Sequence, residues 1–284
     1  FFGPGVAFLS AGDRAVVANM APEYGASTGF FPVDERTLDY LRATGRPNDL
    51  IERVETYTRH NGLWFDPEAQ ARYTRTISID LSTIGLRAAG PCRPQDLLDY
   101  AQIPDALRRC GFSPTAISTS LPRHPVAIAA ITSCTNTSDP RLLITAGLLA
   151  RKARRLGLKP AAWVKTSLAP GSPAAASYLE RAGLLDDLSA VGFDIVGYGC
   201  TTCTGNPGPL PTQIRSAQTC GTSKGVAILS GNRNFPGRVH PELELSFIMS
   251  PALVIAYALS GGAELNLSSQ PIQSTAEGRA VFLR

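Results

Sequence analysis

Beyond residue 125 the chain alternates short apolar runs with helix signals, and few architectures accept that alternation. Val126-Ala127-Ile128-Ala129-Ala130-Ile131 is an unbroken apolar stretch. It lacks the alternating polarity of a half-exposed strand and reads as a strand buried on both faces. Asp139-Pro140 then sets a capping side chain before a proline at the first helical position, which predicts a helix running to Gly157. A second buried strand is expected over 161–165, a helix from Ser172-Pro173 to near Gly183, a third strand over 193–197 and a fourth over 226–229. Strands alternating with helices predict an α/β fold of mostly parallel sheets flanked by helices. Ligands in such folds gather at the loops that follow the carboxyl ends of strands.

The first third carries its own helix signals. Asp34 caps a segment whose apolar positions include Leu38 and Leu41, with Gly45 as its stop. A second helix is predicted over 48–60, with Ile51, Val54 and Tyr57 on one face and Asn61-Gly62 ending it. Residues 74–79 alternate in polarity and predict a strand. A Pro-rich passage, Gly90-Pro91-Cys92-Arg93-Pro94-Gln95-Asp96, is followed by a less patterned stretch up to Arg123. The expected organisation is therefore two α/β domains, 1–120 and 121–270, with 271–284 beginning a linker. At 284 residues and 44% hydrophobic content the chain can fill two cores.

Several partner classes are disfavoured at this level. No apolar run reaches the ~18–20 residues that span a bilayer, so no membrane partner is expected. Net charge is +4, and the one basic cluster, Arg151-Lys152-Ala153-Arg154-Arg155, falls on a predicted helix as a solvated face. A nucleic-acid role is therefore unsupported by any basic stripe. The chain opens Phe1-Phe2-Gly3-Pro4-Gly5, with no initiator Met and no charged leader region, so a cut or processed end is expected rather than a signal peptide. The expected location is cytoplasmic.

Three of the predicted loops hold unusual chemistry. The loop after the first buried strand reads Thr132-Ser133-Cys134-Thr135-Asn136-Thr137-Ser138. The loop after the third reads Tyr198-Gly199-Cys200-Thr201-Thr202-Cys203-Thr204-Gly205-Asn206-Pro207-Gly208. A lone cysteine and a C-x2-C pair thus reach one sheet edge. Thiolates are the usual ligands of iron–sulfur clusters, and small neighbours let backbone N–H groups approach the sulfides. Three cysteines on four irons would leave one iron open to water or substrate, as a Lewis acid. A half zinc site and a thioredoxin-like redox pair compete with this reading. His60, His124 and His240 have no ligand spacing to the pair, and Thr-Thr between the cysteines does not favour redox chemistry. Cys92, Cys110 and Cys220 read as ordinary thiols. The loop after the fourth strand, Ser230-Gly231-Asn232-Arg233-Asn234-Phe235-Pro236-Gly237-Arg238, offers two arginines that can each fork onto a carboxylate.

These segments together resemble the aconitase family, in its branch of bacterial aconitases and iron regulatory proteins. The matching runs are I-T-S-C-T-N-T-S, G-Y-G-C-T-T-C-T-G-N-P-G-P-L, S-G-N-R-N-F-P-G-R-V-H and N-M-A-P-E-Y-G-A. G-F-F-P-V-D-E, V-K-T-S-L-A-P-G-S and G-P-C-R-P-Q-D extend the likeness over nearly the whole chain. The resemblance implies a 4Fe-4S cluster held by Cys134, Cys200 and Cys203, with Asn19 and Asn232 as amides beside it. It implies that Glu23 is a catalytic carboxylate near the open iron, and that Arg233 and Arg238 bind substrate carboxylates. The implied reaction is that of an aconitate hydratase-type hydro-lyase: reversible dehydration and rehydration of citrate to isocitrate, a step of the tricarboxylic acid cycle. Alternatives are a relative acting on 2-methylcitrate, homocitrate or a specialised-metabolite analogue, or a cluster-sensing RNA-binding protein. Thr204 and Pro207 stand where the family usually has Ile and Ser, which touches cluster packing rather than a ligand. The family's first domain, with an Asp–His constellation, and its mobile C-terminal domain, with a serine base, have no match here. The expected partners therefore include those missing domains of the same enzyme beside a small di- or tricarboxylate, and turnover by this chain alone is not expected.

Overall fold

The computed structural model describes residues 1–69, 72–116, 120–132 and 140–283. The chain forms two compact units, Phe1–Ile84 and Gly85–Arg284. This division by packing falls earlier than the change of pattern near 120, because residues 87–99 join the sheet of the second unit.

The first unit is helical. Ser10 and Asp13 form a reciprocal capping box at the start of α1, Ala11–Asn19. Asp34 caps α2, Glu35–Ala43, as its position predicts, and α3 spans Asn48–His60. α2 and α3 pack together, and Leu38 and Ile51 are buried. Asp34 has a second task. Its carboxylate takes both Nη atoms of Arg14, at 2.8 and 2.6 Å, and Arg14 also donates to the carbonyls of Val6 and Pro32. One buried guanidinium thereby ties α1 to the start of α2, to the 3-10 turn Pro4–Phe8 and to the loop at Pro32. The strand predicted over 74–79 does not form among the described residues: 74–79 are exposed and pair with no strand there.

The second unit is built on a six-stranded sheet. Its strands are β1 (Arg87–Ala89), β2 (Leu97–Asp99), β3 (Val126–Ile131), β4 (Lys165–Leu168), β5 (Val226–Leu229) and β6 (Leu245–Ile248), in the order β2-β1-β6-β5-β3-β4. The last four in that order are parallel, and β1 and β2 add on antiparallel. All six residues of β3 are buried, as the unbroken apolar run requires. Its side chains feed two layers. Val126, Ala129 and Ile131 face a large core with Phe193, Phe247 and Tyr257, while Ile128 and Ala130 meet Leu229, Leu243 and Ile214. Each large side chain so buried contributes roughly 1.5–3 kcal/mol.

Helices cover the sheet: α4 (Ile103–Arg109), α5 (Pro140–Arg155), α6 (Pro173–Arg181), α7 (Leu185–Ala190), α8 (Thr212–Thr219) and α9 (Pro251–Ser260). The proposed cap of α5, Asp139, lies outside the described residues. Gly147 lets α5 lie against α7, since a Cβ there would sit 2.8 Å from Leu184. Arg151 and Arg154 of the basic cluster are tied to Asp187 of α7, at 2.7 and 3.2 Å. Two strand expectations shift. Residues 161–163 form a turn closed by Val164 N–H to the Ala161 carbonyl, and β4 begins only at Lys165. Of 193–197, only Ile195 pairs, in a single bridge with Leu168. Residues 273–274 and 280–281 form a short hairpin, β7 and β8, and Gln273 donates to the Leu259 carbonyl at the end of α9. Among the described residues no helix is long and apolar enough to cross a membrane.

Candidate functional site

The parallel strands end in line. Ile131 lies opposite Leu168, Ala130 opposite Leu229, and Leu229 opposite Ile248. The chain therefore leaves β3, β4, β5 and β6 along one edge of the sheet. The first residues out are already knitted together: Ser230 N–H donates to the Ala130 carbonyl at 3.0 Å, and Thr132 N–H donates to Ser230 Oγ at 3.0 Å. These two residues are almost wholly buried, so the loops start from fixed positions.

Cys203 sits at this edge. It lies in a single 3-10 turn, Thr202–Thr204, closed by Gly205 in the left-handed region, and its side chain is buried. Thr132 Oγ1 is 3.7 Å from Cys203 Sγ. The main chain of Gly231 comes closer still: a Cβ on that residue would stand 2.0 Å from the sulfur. Only glycine fits, and its backbone forms part of a cradle around the thiol. Arg238 reaches the same turn, donating from Nε to the Cys203 carbonyl at 3.1 Å. Its two terminal nitrogens have no protein partner among the described residues. They form a planar fork that is already oriented, which is what bidentate capture of a carboxylate needs.

The loop carrying Arg233 and Arg238 is anchored by Asn234, which is completely buried. Its Nδ2 donates to the carbonyls of Ala89 and Ser246, and Ser246 Oγ donates to the Asn234 carbonyl. Lys165 donates from Nζ to the Pro209 carbonyl and fixes the Pro/Gly-rich tail of the cysteine loop. Burial pushes the His240 imidazole below its ordinary pKa, and its Nδ1 accepts from Glu242 N–H. That bond requires an unprotonated Nδ1, so the two observations agree. With the Gly231 cradle and the open arginine fork, this edge can accept a soft, thiolate-held centre together with an anionic group.

The residues singled out from sequence fall into three groups. Cys203, Asn232, Arg233 and Arg238 are in the second unit, on two loops joined by the Arg238–Cys203 contact. Cys200 lies three residues before Cys203 and is exposed, whereas Cys203 is a buried free thiol, and Cys92, Cys110 and Cys220 are free as well. Cys134 lies outside the described residues, and among those described no three His, Cys, Asp or Glu side chains gather as a metal site. Asn19 ends α1, exposed, and Glu23 is half-buried in the turn Ala21–Tyr24; both belong to the first unit. Sequence reasoning did not single out Thr132, Gly231 or Asn234. A glycine one residue past a buried strand was the available signal for Gly231, but its closeness to a sulfur 28 residues away in sequence appears only in three dimensions.

Comparison with known proteins gives this edge a context. The profile of the Aconitase family (aconitate hydratase) matches residues 1–261. The chain is similar along its whole length to aconitate hydratase A of Thermus thermophilus, with 47% identity, and to that of Escherichia coli, with 45%. It is equally similar, at 47%, to phosphinomethylmalate isomerase of Streptomyces viridochromogenes. It spans 34%, 34% and 33% of these relatives, about a third of their length. With a match across more than nine-tenths of its residues, the chain belongs to the aconitase family.

Proposed function

We propose that this chain is the cluster-binding core of an aconitase-type hydro-lyase that interconverts citrate and isocitrate by reversible dehydration and rehydration. The observation that carries the reading is the hydrogen bond from Arg238 Nε to the Cys203 carbonyl, which sets a carboxylate fork beside a buried, glycine-cradled thiol. Cys134, Cys200 and Cys203 would hold a 4Fe-4S cluster. Bound there, the cluster supplies one iron without a thiolate, a Lewis acid for a substrate hydroxyl and carboxylate. Arg233 and Arg238 orient the substrate through its carboxylates. Asn19 and Asn232 serve as amide neighbours of the cluster, and Glu23 as a carboxylate that exchanges a proton with the departing or entering water. The three cysteines ligate iron only as thiolates, so the reading includes a reducing, cytoplasmic setting. Turnover belongs to the full-length enzyme, in which the remaining domains complete the acid–base set.

A second reading is favoured by the equal likeness to phosphinomethylmalate isomerase. On it, the same core serves a related hydroxy-polycarboxylate in specialised metabolism, and the fork at Arg238 is common to both.

Anaerobic reconstitution with a thiol reductant should give about four irons per chain. Replacing Cys134, Cys200 or Cys203 by alanine should abolish iron retention, and replacing Cys92, Cys110 or Cys220 should not. One zinc per chain, or iron retained without Cys203, would rule out the cluster. On the reconstituted protein, Arg238→Ala should weaken citrate binding by roughly ten- to a hundredfold, the worth of a charge-assisted contact of ~1.5–3 kcal/mol. Iron content should be unchanged. Unaltered citrate affinity would remove Arg238 from the substrate site.

A further inference from the structure

The segment 74–80 of the first unit carries the sequence pattern of a strand, yet it pairs with no strand among the described residues. Along Thr74-Arg75-Thr76-Ile77-Ser78-Ile79-Asp80 the sequence alternates in polarity, and in an extended strand Ile77 and Ile79 would share one face and Thr76 and Ser78 the other. Ile77 and Ile79 are 72% and 66% exposed, high values for β-branched apolar residues with strand preference. Among the described residues, no main-chain hydrogen bond joins 72–79 to any other residue. The segment is nonetheless held at both ends. Tyr73 stacks on Phe2 with ring centroids 4.7 Å apart, and Leu81 lies against Gly5. Asp80 then ends it by accepting from Ser82 N–H and Ser82 Oγ, at 2.9 and 2.7 Å. A fixed start, a defined stop and an unbonded middle of strand-preferring sequence describe a segment that a neighbouring strand could complete.

We propose that 74–80 is completed by a β-strand from the other two-thirds of the full-length polypeptide. This rests on the reading of the chain as part of a longer enzyme. The relatives supply the argument for that occupant: they match this chain end to end and extend about twofold beyond it. The added strand must offer its own apolar face on the side of Ile77 and Ile79, so that both rows are buried together.

Amide hydrogen exchange resolves the question. In the 284-residue chain the amides of residues 75–79 should exchange at nearly unprotected rates. In the full-length product of the same gene, alternate amides of that stretch should slow by on the order of a hundredfold or more. Ile77→Lys/Ile79→Lys provides a second readout. It should leave the melting of the 284-residue chain unchanged, because both side chains are already exposed, and should lower the melting temperature or soluble yield of the full-length protein. Unprotected amides in a full-length, iron-loaded enzyme would refute the strand while leaving the hydro-lyase reading intact. Protection that appears in the 284-residue chain and grows with its concentration would assign the strand to a second copy and overturn the occupant. A gene that encodes no flanking domains would instead defeat the underlying reading.

Discussion

If Cys203 holds the cluster as proposed, Gly231→Ala should abolish iron binding while leaving the fold in place. The added carbon would stand 2.0 Å from Cys203 Sγ and 3.0 Å from both Leu229 Cδ1 and Thr132 Oγ1. Neither side can yield easily, because Leu229 and Thr132 are buried at the ends of two central strands. The thiol must move by more than ~1 Å, whereas a metal–ligand bond tolerates only about 0.2 Å. Overpacking of this kind costs ~1–3 kcal/mol in stability, which a core of this size survives. The expected result is a folded protein whose iron content after reconstitution falls at least tenfold. Gly237→Ala is the control. It lies in the same loop with a positive φ, but a Cβ there meets open space, so it should lose ~1–2 kcal/mol and keep its iron. Wild-type iron content in Gly231→Ala would mean that the cradle is incidental.

The second large effect concerns the Arg14–Asp34 pair. Arg14→Met removes two charge-assisted bonds to Asp34, strands its buried carboxylate and releases the carbonyls of Val6 and Pro32. Breaking such a pair from one side costs ~3–5 kcal/mol, more than the pair itself need be worth. The double variant Arg14→Met/Asp34→Ser should recover part of that loss, since the charge is gone and serine still caps α2. Fluorescence can follow the first unit by itself: Trp64 lies in it, and the other tryptophan, Trp163, can be replaced by phenylalanine. Urea unfolding monitored at Trp64 should show the single variant weaker than the double. A loss below about 1 kcal/mol in Arg14→Met would show that the surroundings rehydrate Asp34 freely.

What the sequence disclosed follows the range of the interactions concerned. The β3 run was readable because a strand buried on both faces must be apolar at every position, and all six residues are buried. Asp34 was readable because its cap is local, and the start of α6 because proline at the first helical position is a local signal, although the Ser172 side chain makes no capping bond. The helix α9 was missed: it is buried on nearly every side and so has no polar face to give it a period, although Ser250-Pro251 repeats the start signal of α6. Residues 74–79 show the opposite error. Alternation states a preference for strand, and only a hydrogen-bonding neighbour turns it into one.

The chemistry divides in the same way. Motif resemblance located the cysteine and arginine loops, and the aligned strand ends place Cys203 and Arg238 together. The bond between them joins residues 35 apart. Neither spacing nor composition encodes that contact, and the same holds for the approach of Gly231 to the sulfur. Both depend on where β5 ends relative to β3, which is a property of the assembled sheet.

One feature at the margin of that sheet has a further effect. β4 is an outermost strand, and its free side is covered by the stretch around Ile195: Leu168 N–H donates to the Asp194 carbonyl, and Val196 N–H returns to the Leu168 carbonyl. Thr166 adds a bond to the Gly192 carbonyl. The same stretch runs on directly into Cys200 and Cys203. It is thus both the guard of an exposed β edge and the lead-in to the thiol loop. Loosening it through damage to the loop would uncover main-chain donors and acceptors on β4, an invitation to intermolecular pairing. Loss of the site and clumping of the protein are coupled through five residues.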